Sequence, residues 1–215
     1  MNAQPKERRI RILIADDHLI VRVGFVGMIA LHTDLEVVAQ AEDGIQAVEL
    51  YKKHTPDVAL MDLRMPRMSG LEALQEIRRH NSAARIIMLT TYSGEEDIRR
   101  ALTAGACGYL TKEIAPDELV HAIRIVDRGE RYLPDSVNRT FKESQDTPSL
   151  TSREMEVLHL LIKGLNSREI GAALACSERT AKFHVANILN KLHVADRAEA
   201  VAAAYERGIL HPGAE

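Results

Sequence analysis

Ile10-Arg11-Ile12-Leu13-Ile14-Ala15-Asp16-Asp17-His18 is a short β-branched run that ends abruptly in two carboxylates. An apolar run of this length fits a buried strand, and the longer stretch from Leu19 to Leu31 has helical period. The alternation repeats outward from there. Leu35 to Ala39 reads as strand and Gly44 to His54 as helix; Val58 to Met61 and Gly70 to His80 repeat the pair, as do Arg85 to Leu89 and Glu95 to Ala104. Gly108 to Leu110 is the last strand and Pro116 to Arg128 the last helix, with Pro116 in the first turn, where its missing N–H is not needed. Five such pairs in ~120 residues predict an α/β domain: a doubly wound, five-stranded parallel sheet wrapped by helices.

The pattern changes between Asp135 and Ser149, a polar stretch ending at Pro148-Ser149 that reads as a solvated linker. Thr151-Ser152-Arg153-Glu154 then has the form of a capping box, followed by Met155, Leu158, Leu161 and Ile162 at helical spacing. Gly164 stops that helix. Ser167 to Leu174, a break at Ala175-Cys176, a cap at Ser177 with a helix to Leu192, and a last helix from Asp196 to Arg207 predict a small all-α domain. The expected division is an extension at 1–9, the α/β domain at 10–130, the linker at 131–147 and the all-α domain at 148–215.

With 46% apolar and 27% charged residues over a length of 215, the chain can bury a substantial core, and a disordered or collagen-like chain is excluded. Its 28 basic and 31 acidic residues leave a net charge of −3, so nucleic-acid contact must be local. Cys107 and Cys176 are far apart and without CxxC spacing, which argues against disulfides or structural zinc and for a reducing cytoplasm. Met1 to Arg9 is polar, and nothing approaches the ~20 apolar residues of a membrane span, so a cytoplasmic protein without a membrane partner is expected.

In open parallel sheets, ligands bind beyond the carboxyl ends of the strands. Asp16 and Asp17 follow the first strand, Asp62 the third, Thr90 the fourth and Lys112 the fifth. Each alone has an ordinary explanation: helix caps, a turn residue, a loop hydroxyl, a solvated amine. Together they bring three mutually repelling carboxylates to one rim beside one ammonium, and a hard divalent cation is the natural neutraliser, Mg²⁺ above all. Thr90 and Lys112 would supply donors to phosphoryl oxygens. The set describes phosphoryl transfer to a carboxylate, with Asp62 as nucleophile and acceptor.

Four blocks carry a resemblance: Ile12 to His18, Met61-Asp62-Leu63-Arg64-Met65-Pro66-Arg67-Met68-Ser69-Gly70, Leu89-Thr90, and Gly105-Ala106-Cys107-Gly108-Tyr109-Leu110-Thr111-Lys112. From about Ile10 to Arg128 the chain resembles the flavodoxin-like receiver domain of two-component response regulators. The resemblance implies that Asp62 accepts phosphate from a sensor histidine kinase. It also implies that Asp17, Asp62 and the main-chain carbonyl of Arg64 hold Mg²⁺, with Asp16 acting through water, that Thr90 and Tyr109 form a switch pair, and that Lys112 pairs with the phosphoryl oxygens. Many receivers place proline after this lysine. Glu113 stands there instead, so a cis peptide is not expected, since a non-proline cis bond costs ~3 kcal/mol.

Ser167 to Leu174 and Ser177 to Leu192 also fit a helix-turn-helix, whose second helix enters the DNA major groove, although an ordinary helical pair has the same spacing. Lys163, Arg168, Arg179, Lys182 and Lys191 offer local charge for phosphates. Leu150 to Leu158, Gly164, Arg168-Glu169-Ile170, Thr180 to His184, Ile188 to Leu192 and Arg197 to Val201 resemble the LuxR-type helix-turn-helix. Joined to a receiver, that is the pattern of the NarL/FixJ subfamily of transcriptional regulators. The resemblance places Lys182, Phe183 and Ala186 at base edges. Ser177, Arg179 and Thr180 fall near the backbone, and Ser167, Arg168 and His184 complete the candidate double-stranded DNA contacts. Phe183 would reach a thymine methyl or pack inward. Gly171 stands where alanine is usual and Ala181 where valine is usual.

Phosphorylation adds about −1.5 to −2 charge at the Asp62 rim, and the expectation is that it frees the DNA-binding domain to act as a homodimer on half-sites ~34 Å apart. The stripe Ala198, Val201 and Ala202 would form the contact or pack within its own domain. Two alternatives are an Asp-nucleophile phosphohydrolase, which would carry an acid where Arg64 stands, and a LuxR-type regulator sensing a small ligand through an apolar pocket in place of the acidic rim.

Overall fold

The computed structural model describes residues 8–91, 94–146 and 150–210. They form two compact units, an α/β unit and an all-α unit.

The first is built from β1 (Ile10–Ala15), α1 (Leu19–Ala30), β2 (Leu35–Ala41), α2 (Gly44–His54), β3 (Val58–Asp62), α3 (Gly70–His80), β4 (Ile86–Thr90), α4 (Glu95–Thr103), β5 (Gly108–Thr111) and α5 (Pro116–Asp127). All strands pair in parallel in the order β2-β1-β3-β4-β5. The chain leaves β1 for β2 on one side and returns to β3 on the other, so the strand order switches between β1 and β3, where a ligand crevice is expected. Central strands are buried on both faces, which is why they read as unbroken apolar runs. Ile12, Ile14, Leu60, Ile87 and Leu89 pack against Phe25 and Ile29 of α1 and Leu119, Ile123 and Val126 of α5.

The strands run further toward the carboxyl edge than their apolar residues do. Asp62 pairs with Leu89 and Thr90 with Thr111, so polar residues that look like loop from composition remain in the ladder. That matters for the site, because Asp62 and Thr90 stand on strand backbone, while Asp16 and Lys112 follow directly on the ends of β1 and β5. No peptide bond among the described residues is cis, the Lys112–Glu113 bond included.

Much of the stretch expected to be a solvated linker is helical: α6 spans Asp135–Asp146. Its apolar residues are only Val137, buried, and Phe141, half-buried one turn later, too sparse a pattern to read as a helix beforehand.

The all-α unit contains α7 (Ser152–Ile162), α8 (Ser167–Ala173), α9 (Glu178–Leu192) and α10 (Arg197–Glu206). Each begins at a side-chain cap: Thr151 and Asn166 in reciprocal boxes with Glu154 and Glu169, then Ser177 and Asp196. Val157, Leu158, Leu161, Ile170, Ala181, Val185, Ile188, Leu192, Ala200 and Ala204 form its core. No described helix is long and apolar enough to cross a membrane.

Candidate functional site

Four strand ends bring their polar residues to one rim. Asp16 follows β1 and is held by its main chain, its N–H donating to Ala41 O at 3.1 Å and its carbonyl accepting from the Arg22 guanidinium at 2.6 Å. Its Oδ1 accepts from the His18 N–H at 2.9 Å. Asp62 ends β3, and the next residue is anchored to β4 through Leu63 N–H to Leu89 O at 2.8 Å. Lys112 follows β5, its N–H donating to Thr90 O at 2.7 Å. The Lys112 ammonium lies 2.7 Å from Asp16 Oδ2 and 2.9 Å from Asp62 Oδ2, so one cation bridges two buried carboxylates from different strands.

Burial raises Asp62 to about 6, and the nearby Asp16 charge adds to the rise, while hydrogen bonding and attraction from Lys112 and the Arg64 N–H oppose it. Burial alone would pull Lys112 down, but its bonds to Asp16 and Asp62 outweigh that and hold it above its ordinary value. Carboxylate oxygens of Asp16, Asp17 and Asp62, with a ring nitrogen of His18, all lie within 4.8 Å of one another. Hard oxygen donors in a partly open cleft suit Mg²⁺, which keeps several waters and takes few protein ligands. Arg64 sits two residues beyond Asp62, on the loop that follows β3.

Thr90 is buried in β4, and the ring of Tyr109 in β5 is fully enclosed. The rim therefore unites Asp16, Asp17, Asp62, Thr90 and Lys112 as expected. His18 was missed: its signal is its place directly after the acidic pair, where its Nδ1 sits 2.8 Å from Asp17 Oδ1.

In the all-α unit, α8 and α9 are joined by a tight turn in which Ala175 takes a left-handed φ of 51°. A Cβ on Gly171 would stand 2.8 Å from Cys176 O, so glycine at that position lets α8 approach the turn. α9 divides cleanly. Ala181, Val185, Ile188 and Leu192 face the core. Arg179, Thr180, Lys182, Phe183 and Ala186 are exposed, Phe183 at 62%, which disposes of its packing alternative, and His184 is half-buried. Ser177 is spent as the cap, accepting from the Thr180 N–H at 3.0 Å.

Two expected contacts lie elsewhere. Ser167 is buried and accepts from the Arg197 guanidinium at 2.5 Å, because it opens α8 on the side that meets α10. Lys191, counted as charge for phosphates, reaches inward to the buried Glu154 at 2.7 Å. On α10, Ala200, Ala203 and Ala204 face the core, while of the small-residue stripe Ala198 and Ala202 are exposed and only Val201 is half-buried.

Comparison with known proteins finds two families: residues 12–124 match the response regulator receiver domain, and residues 148–204 match the bacterial regulatory proteins of the luxR family. The transcriptional regulatory protein DegU of Brevibacillus brevis is 37% identical, covering 97% of this chain and 98% of its own. The response regulator VraR of Staphylococcus aureus is 35% identical, over 94% and 99%. Among solved structures, RcsB of Salmonella enterica serovar Typhimurium, bound to promoter P1flhDC in the presence of phosphomimetic BeF₃⁻, superposes with a TM-score of 0.72 at 27% identity, over 93% of this chain and 99% of that one.

Proposed function

This chain belongs to the response regulators that join a receiver domain to a LuxR-type DNA-binding domain, and we propose that it is controlled by phosphorylation of Asp62. DegU, which it resembles, is a transcriptional regulatory protein, and the chain is similar to RcsB solved bound to a promoter. The observation that carries the proposal is the Lys112 ammonium bridging Asp16 and Asp62. A buried carboxylate partnered by a cation, at the switch point of a parallel sheet, is an acceptor held ready.

In the proposed reaction an Asp62 carboxylate oxygen attacks phosphorus in line, and the O–P bond forms as the P–N bond of a phosphohistidine in the sensor kinase breaks. Asp16, Asp17, Asp62 and the Arg64 carbonyl would hold Mg²⁺, which when bound neutralises charge between the carboxylates and the phosphoryl oxygens. Lys112 turns from the bare carboxylates to a phosphoryl oxygen, and the Thr90 hydroxyl donates to another. That move draws Thr90 toward the rim, and the ring of Tyr109, already enclosed, favours the arrangement by occupying the inward position. The chain's chemistry is limited to its own phosphorylation and dephosphorylation.

The donor docks, in this reading, beside the rim on α1. Leu19, Ile20 and Val23 are exposed there, Ile20 at 87%, and Gly24 and Gly27 have open space where a Cβ would stand. Exposed aliphatic residues along a helix, next to the acceptor, suit a partner helix. The functional division is a receiver at 10–130, a connecting segment at 131–147 and a DNA-binding domain at 148–215. Arg168, Arg179, Thr180, Lys182, Phe183, His184 and Ala186 meet DNA. Two phosphorylated copies bind paired half-sites ~34 Å apart through α10.

Intact-mass measurement after acetyl phosphate and Mg²⁺ tests the acceptor. A gain of about 80 Da, absent in Asp62→Asn, is expected; an unmodified wild-type chain overturns the reading.

A further inference from the structure

The loop between Asp62 and α3 is tied to a neighbouring loop in a way the phosphorylation chemistry does not itself require. Its ends are fixed by main chain, with Leu63 N–H donating to Leu89 O and Gly70 N–H to Leu63 O at 3.0 Å. Its middle is fixed differently. Arg67 has φ 65°, a left-handed backbone that a long side chain rarely adopts and glycine adopts freely. From that position its guanidinium forms an ion pair with Asp43 and lies 3.7 Å from Glu42. Asp43 is only 2% exposed. It caps α2 by accepting from the Gln46 N–H at 2.8 Å, and Arg67 reaches its other carboxylate oxygen. Beside this pair the two loops touch through backbone, Gly44 N–H donating to Met68 O at 3.1 Å, and a Cβ on Gly44 would stand 2.4 Å from that oxygen.

A strained conformation persists only where its surroundings over-determine it, and a buried carboxylate needs a partner. Both conditions meet in one residue. We infer that Arg67 is a positioning residue for the phosphoryl acceptor, its pair with Asp43 holding the Leu63–Ser69 loop so that Arg64 and Asp62 keep the spacing that metal binding and phosphoryl transfer need. The inference rests on Asp62 being the acceptor. Arg67 touches no reacting atom; it acts through the loop.

Arg67→Gly isolates this role, because glycine fits φ 65° without strain and only the side-chain pair is lost. On the full-length chain, titration calorimetry with Mg²⁺ and the rate of phosphorylation by acetyl phosphate are measured together, with thermal unfolding as the control. The expected result is a 3- to 10-fold weaker Mg²⁺ affinity and a similar fall in rate, with a modest fall in the unfolding midpoint because Asp43 is left buried without its cation, and recovery of all three in Arg67→Lys. Asp43→Asn, which keeps the cap but loses the charge, should reproduce the loss. Unchanged Mg²⁺ affinity and rate in Arg67→Gly, or a lowered midpoint with neither altered, overturns the positioning role. Failure of the wild-type chain to take phosphate at all would instead defeat the reading of Asp62.

Discussion

Lys112 Nζ stands 2.9 Å from Asp62 Oδ2 and 2.7 Å from Asp16 Oδ2, held there by the backbone bond from its own N–H to Thr90 O. The cation is thus positioned by β4, the strand that also carries the Thr90 hydroxyl. Any shift of Thr90 is felt at Lys112, and the reverse.

Lys112→Ala removes the donor that the proposed reaction turns to a phosphoryl oxygen. Loss of a preorganised donor to a developing anion costs on the order of 100-fold in rate. Phosphorylation by acetyl phosphate should fall by about that factor at saturating Mg²⁺, while urea unfolding at pH 7 shows a folded variant. An unaltered rate would mean that Lys112 is only a charge partner in the resting state.

Asp62 sets a second, pH-dependent test. Burial raises it to about 6, whereas an unfolded aspartate titrates near 3.8. Between those values the folded chain holds a proton that the unfolded chain has lost, so stability falls as pH rises through this window, and the full penalty stands above it. Asp62→Asn carries no such penalty. In EDTA at pH 7.5 it should exceed wild type by up to about 3 kcal/mol, at 1.36 kcal/mol per pH unit, with the difference vanishing near pH 4. Chemical unfolding across pH 4–8 measures it; a gain independent of pH would contradict the assignment of the raised group.

The strand ends that build this rim were legible because β-branched runs stopped at Asp16, Asp62, Thr90 and Lys112, and a parallel sheet sends all such ends one way. Arg67 was not, since no local pattern marks a left-handed arginine or the Asp43 it meets. Helix α6 escaped because Val137 and Phe141 alone do not make a periodic stripe. Ser167 and Lys191 share a further reason. Polar residues on an exposed-looking face read as available, and only the tertiary fold shows that Arg197 and Glu154 hold them.

Lys191 ties α9 to α7 through Glu154, which burial would push up but which Lys191 and the Thr151 cap hold below its usual range. Lys191→Met leaves the carboxylate buried without its cation, and a loss of about 2 kcal/mol is expected at pH 7. A depressed carboxylate stabilises the fold above its unfolded pKa and ceases to as pH falls through its folded value, so the gap between variant and parent should narrow on acidification. A gap that is constant with pH would assign the loss to packing of the lysine stem.

Ile20→Asp tests the docking face without touching the acceptor. Ile20 is exposed, so the fold should stand, yet a charge in the middle of an apolar contact strongly disfavours association. Transfer from a cognate sensor kinase should slow by about 10-fold or more, with phosphorylation by acetyl phosphate unchanged. Equal slowing with both donors would move the effect to the rim.

Phe183 is the remaining exposed aromatic of α9, flanked by Arg179 and Lys182 and followed one turn on by Ala186, which leaves it room. A ring with no hydrogen-bonding group distinguishes bases in the major groove only through the C5 methyl of thymine. Duplexes selected from a random library by the phosphorylated chain should therefore carry thymine at a fixed position in each half-site. Replacing that thymine by deoxyuridine removes one methyl and nothing else, and should weaken binding about 3- to 10-fold for wild type. Phe183→Ala should bind both duplexes alike, at the weaker level, with the salt dependence of binding unaltered, since phosphate contacts set that slope. Selected sites that tolerate deoxyuridine throughout would assign Phe183 to backbone packing, and the base discrimination of α9 would then rest on Lys182.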